Sequence, residues 1–108
     1  MKMQLNNIFE NKNININKEV IESIVNSSGI RIEKIVSSGQ KSPDGFWYNQ
    51  KENEFVLLLQ GEAVLEFDNK NIVHLEKGDY IIIEKFRKHR ITYTATDVLT
   101  VWLAVFYK

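Results

Sequence analysis

Apolar positions change their spacing once along this chain. Val20, Ile21, Ile24 and Val25 recur at helical intervals. Asn17 stands where an N-cap belongs and Gly29 where a helix breaks. The spacing predicts one short helix over 18–26. After Gly29 the pattern becomes that of strands. Ile30, Ile32 and the Ile35–Val36 pair alternate in part with charges. Residues 37–45 read as a loop and contain the only proline, Pro43. Phe46 to Gln50 reads as a short aromatic strand. Glu54 to Gln60 reads as a strand with apolar residues on both faces. Gly61 supplies a tight turn, and Ala63 to Phe67 pairs back. Ile72 to Leu75 is a short strand, and Tyr80 to Ile83 a strand buried on both sides. Lys85 to Lys88 is a basic loop, His89 to Thr94 alternates, and Leu99 to Tyr107 is a long apolar final strand. Many short strands divided by turn residues point to an all-β sandwich or barrel.

Length and composition narrow the choices. The chain has 108 residues, enough for one domain and a single core. Residues 1–29 form a strand or helix extension, and 30–108 form the barrel. Lys plus Arg equals Asp plus Glu at 14 each. That balance argues against a dedicated nucleic-acid or membrane-surface protein. The absence of Cys excludes disulfides, thiolate metal sites and a Cys nucleophile. With two His, one chain cannot build a three-His metal site. No apolar run suits a transmembrane helix and no signal-peptide core is seen, so a cytoplasmic location is expected.

Strand parity selects the candidate chemistry. Glu54, Val56 and Leu58 share one strand face, which puts Glu54 at the mouth of an apolar cavity. His89 shares a face with Ile91 and Tyr93, so all three are expected to point inward. His74 lies between the inward pair Val73 and Leu75 and faces solvent. Tyr48 and Gln50 share a face and can hydrogen-bond a small polar molecule. The run Lys85-Phe86-Arg87-Lys88-His89-Arg90 is read first as a solvated loop and second as a basic rim drawing an anion towards the barrel.

Two spacings make the chain recognisable. Glu54 precedes Gly61 by six intervening residues, and His89 follows Gly78 after ten intervening residues, with Glu84, Phe86 and Tyr93 at set intervals. Over residues 30–108 the chain resembles a small single-domain bacterial cupin with degenerate metal-binding motifs. The resemblance implies a double-stranded β-helix, or jelly-roll barrel. Tyr48 and Gln50 occupy the positions of the first motif's two His. Glu84, Phe86 and Tyr93 replace the second motif's Pro, Gly and Asn. Of the family's metal ligands, only Glu54 and His89 remain. The resemblance therefore implies a weakly held divalent metal, on Gln50, Glu54 and His89. Oxygen and imidazole ligation favours iron, manganese, nickel or zinc.

The reading that follows is a cupin that binds a small molecule in its barrel through Tyr48, Gln50, Glu54, His89 and Tyr93. The alternative is a metal-dependent cupin enzyme, a dioxygenase, isomerase or lyase, acting on a small polar or anionic substrate. If no metal binds, a buried Glu54 must be hydrogen-bonded or protonated, with His89 its nearest partner. Apolar residues on both faces of two strands predict a homodimer.

Overall fold

The computed structural model describes residues 3–11 and 13–108. Among these described residues eight strands follow one another: β1 (Val20–Ser27), β2 (Ile30–Ser37), β3 (Asn53–Gln60), β4 (Glu62–Phe67), β5 (Ile72–Glu76), β6 (Tyr80–Ile83), β7 (His89–Thr94) and β8 (Thr100–Tyr107). They form a five-stranded sheet in the order β1-β2-β8-β3-β6 and a three-stranded sheet in the order β5-β4-β7. All of these strand pairs are antiparallel. The inner faces of the two sheets meet in a core of Val56, Leu58, Ala63, Leu65, Phe67, Leu75, Ile83 and Trp102.

The predicted helix over 18–26 does not form, because Val20–Ser27 is strand β1. Val20, Ile21, Ile24 and Val25 are all β-branched, which favours a pleated surface over a helix. Pairing with β2 from Val20↔Val36 to Ser27↔Ile30 supplies the backbone partners. Gly29, at φ 83°, closes the β1–β2 hairpin instead of ending a helix. The apparent helical spacing is a strand with a bulge: the register shifts between Ser23 and Val25, leaving Ile24 as the extra residue.

Two further expectations need correction. Phe46 to Gln50 does not make a strand; it contributes one isolated bridge, Tyr48 with His89. Strand β6 is not buried on both faces, since Tyr80 is 64% and Ile82 53% exposed in the single chain. In β3 and β5 alternation sets the faces as parity requires. In β3, Glu54, Val56 and Leu58 are buried inward. His74 is exposed between Val73 and Leu75.

The turn between β3 and β4 holds the sheets in place. Gly61 has φ 91°, and a Cβ there would lie 2.6 Å from the Thr100 Cα. Only a residue without a side chain lets β8 approach so closely.

Candidate functional site

A cavity of about 150 Å³ opens between the sheets, the size that admits a benzene-sized molecule. Its walls are mostly apolar: Ile35, Val56, Leu65, Ile83, Ile91 and Trp102. Tyr48, Gln50, Glu54 and His89 all line it. The structure thus brings together four of the five residues that the sequence selects.

Opposite sheets supply the central pair. Glu54 sits on β3, opposite Phe106 of β8 and Ile83 of β6. His89 opens β7, opposite Phe67 of β4. The two side chains cross the barrel, with His89 Nε2 3.7 Å from Glu54 Oε1. Both residues are buried, at 5% and 8% exposure. That Oε1 is buried without a hydrogen-bond partner.

The backbone fixes the form of His89. Its Nδ1 lies 2.9 Å from the carbonyl oxygen of Arg87. A carbonyl has no proton to give, so Nδ1 carries the hydrogen and donates it. Burial lowers the His89 pKa, with the Arg87 bond pulling the other way. The ring is therefore neutral and turns the Nε2 lone pair into the cavity. Tyr48 stacks on this ring at 5.4 Å. The two backbones exchange hydrogen bonds: Tyr48 N–H to His89 C=O at 2.7 Å and His89 N–H to Tyr48 C=O at 3.1 Å. Burial raises the Tyr48 pKa, aided by the negative charges of Glu19 and Glu54.

Glu54 is pushed up to about 7, first by burial and then by the neighbouring charge of Glu33. The Arg31 guanidinium pulls down and Glu52 adds to the rise. Near neutral pH the carboxyl is divided between its two forms.

Tyr93 lies elsewhere. It is 41% exposed and does not line the cavity. Between β4 and β7 the register steps from Val64↔Tyr93 to Leu65↔Ile91, so Thr92 is an extra residue. This bulge inverts parity beyond it. Thr94, not Tyr93, turns inward and is 1% exposed. The basic run also misses the cavity: among its residues only His89 lines it. Arg87 pairs with Asp68 and Arg90 with Glu66, both at 3.3 Å. Lys85, Phe86 and Arg87 border a separate groove beside β6.

Residues outside the sequence-based set also shape the site. Arg31, Glu33 and Ile35 of β2 and Glu19 and Ile21 of the N-terminal region line the cavity. Arg31 binds Glu33 at 3.1 Å and Glu52 at 2.8 Å, and lies 4.0 Å over the Phe106 ring. Trp102 Nε1–H donates to Ser37 Oγ at 3.1 Å, and the Ser37 hydroxyl donates to Glu19 Oε2 at 2.7 Å. A parity argument on β2 contained the signal, because Arg31, Glu33, Ile35 and Ser37 alternate.

The donor set does not fit a tightly held metal. One imidazole nitrogen and one carboxylate are strong ligands. The Gln50 amide and a Tyr48 phenol held in its neutral form are weak ones. No group of three or more His, Cys, Asp or Glu converges for a metal among the described residues.

Comparisons with known proteins agree with this architecture. The family model for the cupin domain matches residues 35–106. A solved Ralstonia eutropha JMP134 protein, provisionally named a mannose-6-phosphate isomerase, is 30% identical, with TM-score 0.92 over 97% of this chain and 98% of its own. A cupin superfamily protein from Desulfitobacterium hafniense DCB-2 is 18% identical, with TM-score 0.74 over 89% of this chain and 83% of its own. An RmlC-like cupin from Desulfovibrio desulfuricans is 17% identical, with TM-score 0.74 over 97% of each chain. No curated protein matches the sequence.

Proposed function

The chain belongs to the cupin domain family, and we propose that it binds a small organic molecule inside its barrel, with Glu54 and His89 as the polar handle. One observation carries this reading: an apolar cavity in which an unpartnered carboxylate oxygen and an imidazole nitrogen converge at 3.7 Å. Few, well-placed polar groups in an apolar pocket are the usual anatomy of a ligand site. Tyr48 and Gln50 complete the polar side. A divalent metal is a weak occupant here, so the metal-dependent enzymatic reading ranks second. It would need iron, manganese, nickel or zinc to be held by only two strong ligands.

The phosphosugar suggested by the Ralstonia protein's provisional name suits this cavity poorly. Glu19, Glu33 and Glu54 line it, and the one cation lining it among the described residues, Arg31, is engaged by two carboxylates. A dianionic phosphate would meet repulsion at the mouth. The outer face of the five-stranded sheet is also apolar, and we propose that two copies pair through it in a cytoplasmic homodimer.

The test of the binding reading is a fragment screen followed by amide and indole NMR. Fragments that bind should shift the Trp102 indole and the backbones of Glu54 and His89. Shifts confined to the outer sheet face, with these three unmoved by every bound fragment, would show that the barrel is not the site.

A further inference from the structure

Among the described residues, the charge lining the cavity is unbalanced. Four carboxylates stand at or near its mouth: Glu19, Glu33, Glu52 and Glu54. Arg31 is the one guanidinium among them, and it is bound by Glu33 and Glu52. Glu19 accepts only the Ser37 hydroxyl among the hydrogen bonds described. Glu54 Oε1 accepts nothing, although Glu54 is 8% exposed. His89 gives its Nδ1 proton to the Arg87 carbonyl, and burial disfavours a second proton, which leaves Nε2 an acceptor.

Two acceptors therefore converge on one point. With Glu54 ionised, its Oε1 and His89 Nε2 lie 3.7 Å apart with no donor between them, whereas below about pH 7 the carboxyl holds a proton of its own. A hydroxyl has one proton and can satisfy only one of these atoms. A primary ammonium has three, and its charge matches the carboxylate excess. The remainder of the wall, with Val56, Leu65, Ile91 and Trp102, suits an apolar body.

We propose that the ligand of this cavity is a small primary amine in its ammonium form, with its N–H groups on Glu54 and His89 and its apolar part against Trp102. This rests on the binding reading above and specifies the class of molecule it concerns. Glu19, which also lines the cavity, adds to the attraction for a cation. A fixed negative potential within low-dielectric walls acts far more strongly than the same charges in water.

Three probes of one shape separate the alternatives: benzylamine, benzyl alcohol and benzoate. Their affinities are measured by NMR titration of the whole chain, with EDTA present so that no metal mediates the contact. Benzylamine should bind at least about tenfold more tightly than benzyl alcohol, equivalent to about 1.4 kcal/mol, and benzoate most weakly. In Glu54→Gln the preference for the amine over the alcohol should shrink to within about threefold, a residue of about 0.7 kcal/mol. Glu19→Gln removes another lining carboxylate and should reduce it partially, which provides a second reading if Glu54→Gln fails to fold. Benzyl alcohol or benzoate binding as tightly as benzylamine would overturn the ammonium assignment while leaving the cavity as a ligand site. An undiminished preference in both variants would overturn it too. Failure of all three probes to bind would overturn both the assignment and the binding reading.

Discussion

Glu54 links the chemistry of the site to the stability of the fold. Its carboxyl is raised from an ordinary 4.5 to about 7 because burial disfavours the charged form. Below about pH 4.5 the folded and unfolded chains both carry the proton, and there is no penalty. As pH rises from there towards 7, the unfolded chain ionises first and the folded chain is left behind. Stability from this group is therefore full in acid and is lost as pH passes through the folded pKa. The difference amounts to roughly 3 kcal/mol. Urea unfolding of Glu54→Gln should show a smaller fall between pH 4.5 and 7 and a variant more stable than the parent at pH 8, by up to about 3 kcal/mol. An unchanged pH slope would mean that Glu54 is not buried in the empty barrel. This residue and His89 were legible in the sequence from parity and from motif spacing together. Tyr93 was misplaced because counting along a strand cannot detect the extra residue at Thr92. Arg31 and Glu33 were missed for another reason. Hydrophobicity assigns Ile30 and Ile32 to the interior, yet it is the charged pair that faces the cavity, satisfied by its own ion bridges.

At the scale of elements, the strands from β3 to β8 could be placed from alternation and turn residues alone. β1 could not. Its bulge puts Val and Ile at intervals that imitate a helix, and only the presence of β2 as a partner decides between the two. The hairpin at Gly61 was also visible, but its reason was not. A glycine in a turn is ordinarily needed for its φ, and Gly61 meets that demand at 91°. It must in addition leave room for the Thr100 backbone, 2.6 Å from where a Cβ would be. Gly78 has the same kind of angle, φ 92°, with nothing within 4 Å. The two glycines should therefore respond differently. Gly78→Ala should lose about 1 kcal/mol from backbone strain alone. Gly61→Ala should lose clearly more, about 3 kcal/mol or beyond, because β8 must move. Thermal or urea unfolding of both variants checks this, and equal losses would contradict the close approach of β8.

The whole molecule has two different surfaces. The three-stranded sheet has a mixed exterior, with Glu66 and Arg90 paired across β4 and β7. The five-stranded sheet turns Phe55, Leu57, Leu103 and Val105 outward, all half-buried, beside exposed Tyr80 and Ile82. The β2 end of this same face is partly covered by the N-terminal segment, where the Lys34 ammonium donates to the Glu10 carbonyl at 2.7 Å. An apolar face of this extent usually marks an interface, as the two-faced sequence pattern of β3 and β8 also implies. Light scattering at micromolar concentration should give twice the chain mass. Ile82→Glu should give a folded monomer, since Ile82 is already 53% exposed in the single chain. A parent protein that is itself monomeric would remove the pairing. The interior, by contrast, contains its own reporter. Trp102 is 3% exposed, forms part of the cavity wall and is tethered through its indole to Ser37. The only other tryptophan, Trp47, lies outside that wall beside Arg90. With Trp47 replaced by Phe, the fluorescence of the protein would come from a single ring at the binding surface. Occupancy of the barrel could then be followed optically, without labelling either partner.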